Sequence, residues 1–293
     1  MDMQFQIVVY KKQELEVLKG MPKGFARLSE ELEAHNILVY GAKSSTLQEI
    51  LIENNFSPES VLVIAAKDGT LSEAAQLHLA VLAYQNPMFP EEELYCADFL
   101  TESFVGVDYY FLERVYQRKH GIPWRVIDTK RCYLREMTVD DLPDLYVLYS
   151  DPSMTKYLQP LSSMEEEIVY VKTHLEQMYR FYGYGFWIVK DRFTDELIGR
   201  AGFEHCRLGD TWVLEMGYAI AKGRRRQGYA FEICRAMLDY AKGIESGFDK
   251  VYCFVQEENI ASKELLEKLG FCYECMQIRG GKNMLRYVYL LNI

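Results

Sequence analysis

The sequence predicts an α/β protein in two parts: a parallel, Rossmann-like α/β module over residues 1–125, then a mixed α+β domain over residues 131–293. Three observations lead there. In the first part, apolar runs without polar interruption alternate with helical patterns, as strands buried on both faces of a parallel sheet require. In the second, strand-like runs follow one another with turns between them, the pattern of antiparallel pairing. A chain of 293 residues also exceeds what one hydrophobic core usually organises, so two cores are expected.

In the first part, QIVVY, NILVYG, SVLVIAA and AVLAY read as strands, and LSEELEAH, SSTLQEILIENNF and LSEAAQLHL as the helices between them. Ser29 and either Ser44 or Ser45 stand where helix caps are expected. A polar loop (QNPMFPEEE), a short strand near residues 97–101 and the amphipathic helix DYYFLERVYQRKHG complete the module, with Gly121 as the helix stop and Ile122, Pro123 and Trp124 as linker.

The second part opens on the strand RCYLRE. Thr138 and Asp141 form an approximate capping box for the helix containing DLPDLYVLY. Ile168, Val171, Leu175 and Met178 recur at helical spacing, predicting a helix over residues 163–181. Strands YGFWIVKD, LIGRAGFEHC and TWVLEMGYAI follow, joined by turns at Thr194-Asp195 and Leu208-Gly209-Asp210. The tail reads as a helix from Gly228, the strand KVYCFVQ, a helix over residues 261–269, and strands near 271–278 and 285–291.

A formal net charge of -10 disfavours nucleic acid and anionic membrane as partners over most of the surface, so a basic site has to be local. No apolar stretch approaches the roughly 18 residues of a membrane span, and the amino-terminal residues lack the order of a signal peptide, which points to the cytoplasm. The 7 cysteines lie mostly in apolar runs, as reduced core thiols do. Cys272 and Cys275 form a CxxC with no second pair of ligands to complete a tetrahedral metal site, so no metal is expected and a strand position is read for both.

The basic site is AIAKGRRRQGYAFEICRAMLDYAKG, a strand, a glycine-containing loop carrying Arg224, Arg225 and Arg226, and a helix. A helix amino terminus offers unpaired N–H groups and partial positive charge to a pyrophosphate, and Gly228 lets the backbone approach it. On these residues alone a solvated basic turn is an equal reading. The spacing Arg225, Gly228, Ala230 matches the (Gln or Arg)-x-x-Gly-x-(Gly or Ala) signature of the GNAT superfamily of N-acetyltransferases, which residues 131–293 resemble in strand and helix order. RCYLREMTVDDLPDLYVLYSDP and EMGYAIAKGRRRQGYA look most like the branch containing ribosomal-protein N-terminal acetyltransferases. NIASKELLEKLGF supplies the Asn259 and Leu269-Gly270-Phe271 that family members commonly carry.

The resemblance implies acetyl-coenzyme A as cofactor, with Arg225, Arg226, Gln227, Gly228, Tyr229 and Ala230 at its pyrophosphate. It also implies that Asn259 lies near the pantetheine arm and that the backbone of Tyr218, Ala219 and Ile220 pairs with the arm as an added strand would. The acceptor is then a small-molecule or peptide amine. Acyl transfer needs a neutral amine, a polarised carbonyl and a proton for the thiolate; backbone N–H groups of TWVLEMGYAI can polarise the carbonyl. Glu215 in that strand is the candidate base or else a structural glutamate, with Glu204 and His205 behind it. Many family members place an acidic tyrosine where this chain has Leu266, leaving Ser262 as candidate acid or else a helix-start serine.

The stretch LVIAAKDGTLSEAAQLHLAVLAY resembles part of a haloacid dehalogenase-like fold. Because the first strand ends in lysines where that chemistry requires aspartates, Asp68 alone supports neither it nor a magnesium site, and a non-catalytic module is expected. The reading is an acetyl-CoA-dependent N-acetyltransferase favouring a low-pKa amine such as a peptide amino terminus. The alternative from another class is a coenzyme A-binding sensor or interaction protein without turnover.

Overall fold

The structure, a computed structural model, describes residues 5–18, 20–43, 45–179, 182–244 and 247–291. The chain divides into two compact units, Met1–Trp124 and Arg125–Ile293.

The first unit holds strands β1 (Ile7–Lys11), β2 (Leu38–Ala42), β3 (Val61–Ala65), β4 (Ala80–Tyr84) and β5 (Phe99–Thr101), all parallel in the order β2-β1-β3-β4-β5. Alternate residues of the buried strands feed two cores. Val8, Leu62 and Ile64 pack with the helices Phe25–Ala34 and Tyr109–Lys119, while Val9, Val61 and Val63 pack with Leu47–Glu53 and Asp68–Gln76. That is the doubly wound arrangement, in which strand order reverses beside β1. At this reversal Glu14 turns its carboxylate onto the next element, accepting from the Ala66 N–H at 3.0 Å and the Thr70 hydroxyl at 2.6 Å. Lys11, buried, donates to the Ser45 carbonyl.

Several local expectations shift. Ser29 lies inside its helix, its hydroxyl bonded back to the Phe25 carbonyl at 3.1 Å, and Gly24 is the residue before the first turn. Thr46, and not Ser45, caps the next helix through a full capping box with Glu49; Ser44 lies outside the described residues. Asp68 ties down the following loop, accepting from Leu94 and Glu93 N–H at 2.7 and 3.0 Å.

The second unit is one sheet of strands β6 (Arg125–Asp128), β7 (Cys132–Arg135), β8 (Phe186–Asp191), β9 (Leu197–Leu208), β10 (Thr211–Ile220), β11 (Lys250–Gln256), β12 (Cys272–Arg279) and β13 (Lys282–Leu290). Their order is β12-β13-β11-β10-β9-β8-β7-β6, with β10 and β11 the parallel pair. One face packs on the helices Tyr229–Gly243 and Ile260–Leu269; the other, through Met137, Leu145, Val171 and Ile188, on Leu142–Tyr149 and Met164–His174. The Thr138–Asp141 capping box is present. The helix expected over 163–181 is α-helical only over Met164–His174, then widens to a π turn over Leu175–Tyr179; residue 181 lies outside the described residues. The edge strand β6 was not announced by any sequence pattern.

Candidate active site

Pairing between β10 and β11 holds only at Leu214–Val251 and Glu215–Tyr252. Beyond Glu215 the two parallel strands part, while β10 stays paired with β9 as far as Ile220–Gly199. The β11-facing edge of Met216 to Ile220 is therefore left without a strand partner, and backbone groups at such an edge must find another one. A cleft of about 530 Å³ opens there, lined by Glu204, Glu215, Gly217 and Ala219 of the two central strands and by Tyr149, Tyr170, Phe186, Arg200, Asn259 and Ser262.

At the end of β10 the chain makes a tight turn into the helix Tyr229–Gly243. Gly228, at φ +83°, stands immediately before it and Arg226 is also left-handed at φ +57°. The first bond into the helix runs from the Glu232 N–H to the Gly228 carbonyl at 3.1 Å; among the described residues no acceptor meets the N–H groups of Arg226 to Phe231. This is an anion cradle in the sense of a helix start preceded by a left-handed turn. The turn is braced from behind. Arg131 forms an ion pair with Glu232 at 2.7 Å, donates to the Gln227 carbonyl at 2.9 Å and lies 4.1 Å over the Tyr229 ring. Arg225 points inward, its Nε donating to the Ile220 carbonyl and its Nη1 to the Ser153 hydroxyl, both at 2.9 Å. Arg225 therefore holds the turn against β10, while Arg226, Gln227, Gly228, Tyr229 and Ala230 make up the cradle and its margin. The Gln227 side chain is bonded to the Gly223 carbonyl at 2.7 Å.

On the cleft face of β9 and β10, cross-strand pairs follow in steps: Glu204–Glu215, Gly202–Gly217, Arg200–Ala219. A Cβ at Gly217 would lie 2.7 Å from the Phe186 ring, so the glycine lets that ring lie over the sheet as a wall of the cleft. The Glu215 carboxylate is ion-paired with Arg279 at 2.7 Å. Glu204, across from it, has its carboxyl raised above the ordinary value, first by lost hydration and then by the Glu215 charge, against the pull of Arg200 and Arg279. His205 faces away, bonded to the Tyr184 hydroxyl and ringed by Tyr182, Trp212 and Phe248, and does not line the cleft.

Asn259 caps its helix, accepting from the Ser262 N–H at 3.3 Å, with both side chains lining the cleft. The Tyr218 hydroxyl is buried without a hydrogen-bond partner among the described residues; burial pushes it well above its usual value, the Ser262 hydroxyl acting in the opposite sense. Leu266 is a core residue. Arg200 is the cleft residue that sequence reasoning missed. Its only signal was a lone cation within the apolar run LIGRAGF.

No group of three or more His, Cys, Asp or Glu among the described residues is arranged to hold a metal, and no helix there is long and apolar enough to cross a membrane. Cys272 is exposed and Cys275 half-buried on β12, both as free thiols.

Residues 131–272 match the family model described as acetyltransferase (GNAT) domain. A Bacillus subtilis (strain 168) protein described as uncharacterized protein YkkB is 32% identical over 146 residues, 50% of this chain and 84% of that one. From the same organism, a protein described as uncharacterized N-acetyltransferase YoaA is 30% identical over 149 residues, 50% of this chain and 82% of that one. The chain belongs to the GNAT acetyltransferase family. It is an N-acetyltransferase of the acetyl-CoA-dependent kind. The solved ribosomal-protein-S5-alanine acetyltransferase from Vibrio fischeri shares the fold, at a TM-score of 0.50 and 11% identity over 58% of this chain and 97% of that one. For residues 1–125 the comparisons give no support to a haloacid dehalogenase-like relationship, and the resemblance drawn from sequence is set aside. In the structure β1 ends in Lys11, and Asp68 is engaged by backbone N–H groups.

Proposed function

We propose that this GNAT enzyme acetylates a low-pKa primary amine, a peptide amino terminus being the favoured acceptor, with the parted strands β10 and β11 receiving the pantetheine arm and the Gly228 turn the pyrophosphate. The observation that carries the reading is the coincidence of three features along β10: in the cleft, an edge left without a strand partner and a carboxyl of raised pKa across from Glu215, and at the end of the strand a row of helix-start N–H groups without acceptors among the described residues. Backbone groups of Tyr218, Ala219 and Ile220 suit pairing with the amides of the arm, although the Ile220 carbonyl already accepts from Arg225. Asn259 borders the same channel.

Proton transfer falls to the pair Glu204–Glu215. The Glu215 carboxylate, ion-paired with Arg279, raises the proton affinity of Glu204 from across the strands, and Glu204 is the base that takes a proton from the attacking amine. On the leaving side Ser262 donates to the thiolate, with the Tyr218 phenol, protonated at any physiological pH, behind it. Such a base is modest. A lysine amine is neutral in roughly one molecule in 2500 at pH 7, costing about 4.6 kcal/mol, whereas an amino terminus costs about 1 kcal/mol, so the latter suits this cleft better.

The test compares kcat/KM across pH for a peptide with a free amino terminus and the same peptide blocked there but carrying lysine. Stronger activity on the lysine peptide near neutrality would refute the acceptor preference. Coenzyme A binding by calorimetry with no thiol release over a broad amine panel would refute turnover in favour of a sensor.

A further inference from the structure

Of the arginines that line or flank the cleft, Arg200 and Arg225 have no carboxylate partner among the described residues, and Arg225 is engaged by the Ile220 carbonyl and the Ser153 hydroxyl whereas Arg200 keeps a buried Nε without an acceptor. Arg279 pairs with Glu215, Arg286 with Glu274, Arg131 with Glu232, and Arg224 with Asp191 and Glu196. Arg200 has no aspartate or glutamate as ion-pair partner among the described residues. Its guanidinium sits 5.0 Å from the Phe186 ring and 5.3 Å from the Tyr170 ring, one Nη donates to the Tyr170 hydroxyl at 2.9 Å, and the buried Nε has no acceptor. A guanidinium held this far from water without an ion-paired carboxylate is costly, and the aromatic faces and the Tyr170 and Tyr149 phenols offset only part of that cost. A buried donor left without an acceptor calls for a partner that the described residues do not supply.

The position along the strand says which ligand. Arg200, Gly202 and Glu204 share the cleft face of β9, two residues apart, so about 7 Å separates each step. The Phe186 ring lies over Gly217, between these two side chains along the strand, so an amine seated against the cleft side of that ring has the Glu204 carboxyl toward one end and Arg200 toward the other. The rim carboxylates do not compete for Arg200, since Glu166 accepts from the Ser163 N–H at 3.1 Å and Glu167 from the Ser162 N–H at 2.9 Å. The forked guanidinium, with Nε free, matches a carboxylate.

We propose that Arg200 docks a carboxylate carried by the acceptor, so that the preferred substrate is a primary amine with a carboxylate a few bonds from its nitrogen. This rests on the acetyltransferase reading of the cleft. Two sources offer that chemistry, an acidic side chain within the first two residues of a peptide and the α-carboxylate of a free amino acid.

The experiment uses the full chain and matched acceptors: a peptide with aspartate at the second position against its asparagine counterpart, and a free amino acid against its amide. We expect the carboxylate member of one pair to be favoured at least tenfold in kcat/KM, chiefly through KM, and the pair identifies the source. In Arg200→Gln that ratio should fall to near one, and in Arg200→Lys it should be partly kept, with calorimetric coenzyme A binding intact in both as proof of folding. A ratio near one in the wild type, or one that survives Arg200→Gln, overturns the proposal. A second readout does not need turnover: with coenzyme A present, the N-acetylated aspartate peptide should raise the Tm of the wild type more than its asparagine counterpart does, and not in Arg200→Gln. If no amine is acetylated but this difference appears, the acetyltransfer reading fails and the carboxylate site stands; if it is absent, the carboxylate site fails.

Discussion

His174 gives the chain an acid-sensitive joint. It ends the helix Met164–His174, buried, and its Nε2 accepts the Phe186 N–H at 2.9 Å, a role only the neutral ring can play. Lost hydration first, and the Arg200 charge second, lower its pKa from 6.5 to about 4. In the unfolded chain the ring protonates near its ordinary value, so the unfolded state takes up a proton that the folded state refuses. The resulting stability is complete above about pH 6.5 and drains as pH falls toward about 4, by about 3 kcal/mol in full and by about 2 kcal/mol between about pH 7 and pH 5. Urea unfolding followed by tryptophan emission, to which the buried Trp187 contributes from the same unit, measures this at both pH values. The variant His174→Gln keeps an acceptor oxygen and cannot titrate, so its stability should fall by about 2 kcal/mol less than the wild type over that interval. Equal losses in the two proteins would refute the account of His174.

Three further outcomes are expected. Gly228→Asp should weaken coenzyme A binding on the order of 100-fold, because a negative charge stands in the cradle, while the left-handed φ costs the fold only about 1 kcal/mol; calorimetry and a thermal melt separate the two effects. Glu204→Gln should lower kcat/KM about 100-fold and flatten the acid limb of its pH profile, whereas Glu215→Gln, removing the charge that raises Glu204, should move that limb to lower pH; a limb unmoved in both variants assigns the base elsewhere. Arg225→Ala should destabilise the second unit by about 1–2 kcal/mol, since it frees the Ile220 carbonyl and the Ser153 hydroxyl, and should weaken cofactor binding less than Gly228→Asp; the opposite order would make Arg225 a direct phosphate ligand.

What could be read from sequence was what is local. The Gly228 turn, the Thr138–Asp141 box and the strands β8 to β11 each lie in one contiguous stretch whose spacing declares its conformation. The carboxylate pair was half visible: Glu215 and Glu204 were noticed singly, but that they face each other, and that Arg279 claims Glu215, depends on strand register and on a strand more than 60 residues away. For Arg225 the motif gives a place in the chain and not a direction, which the contacts to the Ile220 carbonyl and the Ser153 hydroxyl supply. Arg200 is invisible for the same reason, since what distinguishes it is a buried Nε without an acceptor among the described residues, which only three dimensions can show. Capping by Thr46 in place of its serine neighbours is a subtler case, where three adjacent hydroxyls satisfy the same rule and the Glu49 contact selects one.

The Glu14 carboxylate lies at the strand reversal beside β1. In doubly wound sheets the crevice beside the strand reversal, under a helix start, is where an outside anion is usually received. Here the chain delivers that anion itself, to the Ala66 N–H and the Thr70 hydroxyl. Tethering makes this contact intramolecular, at an effective concentration on the order of millimolar. An outside anion reaches the Ala66 N–H and the Thr70 hydroxyl only by displacing Glu14.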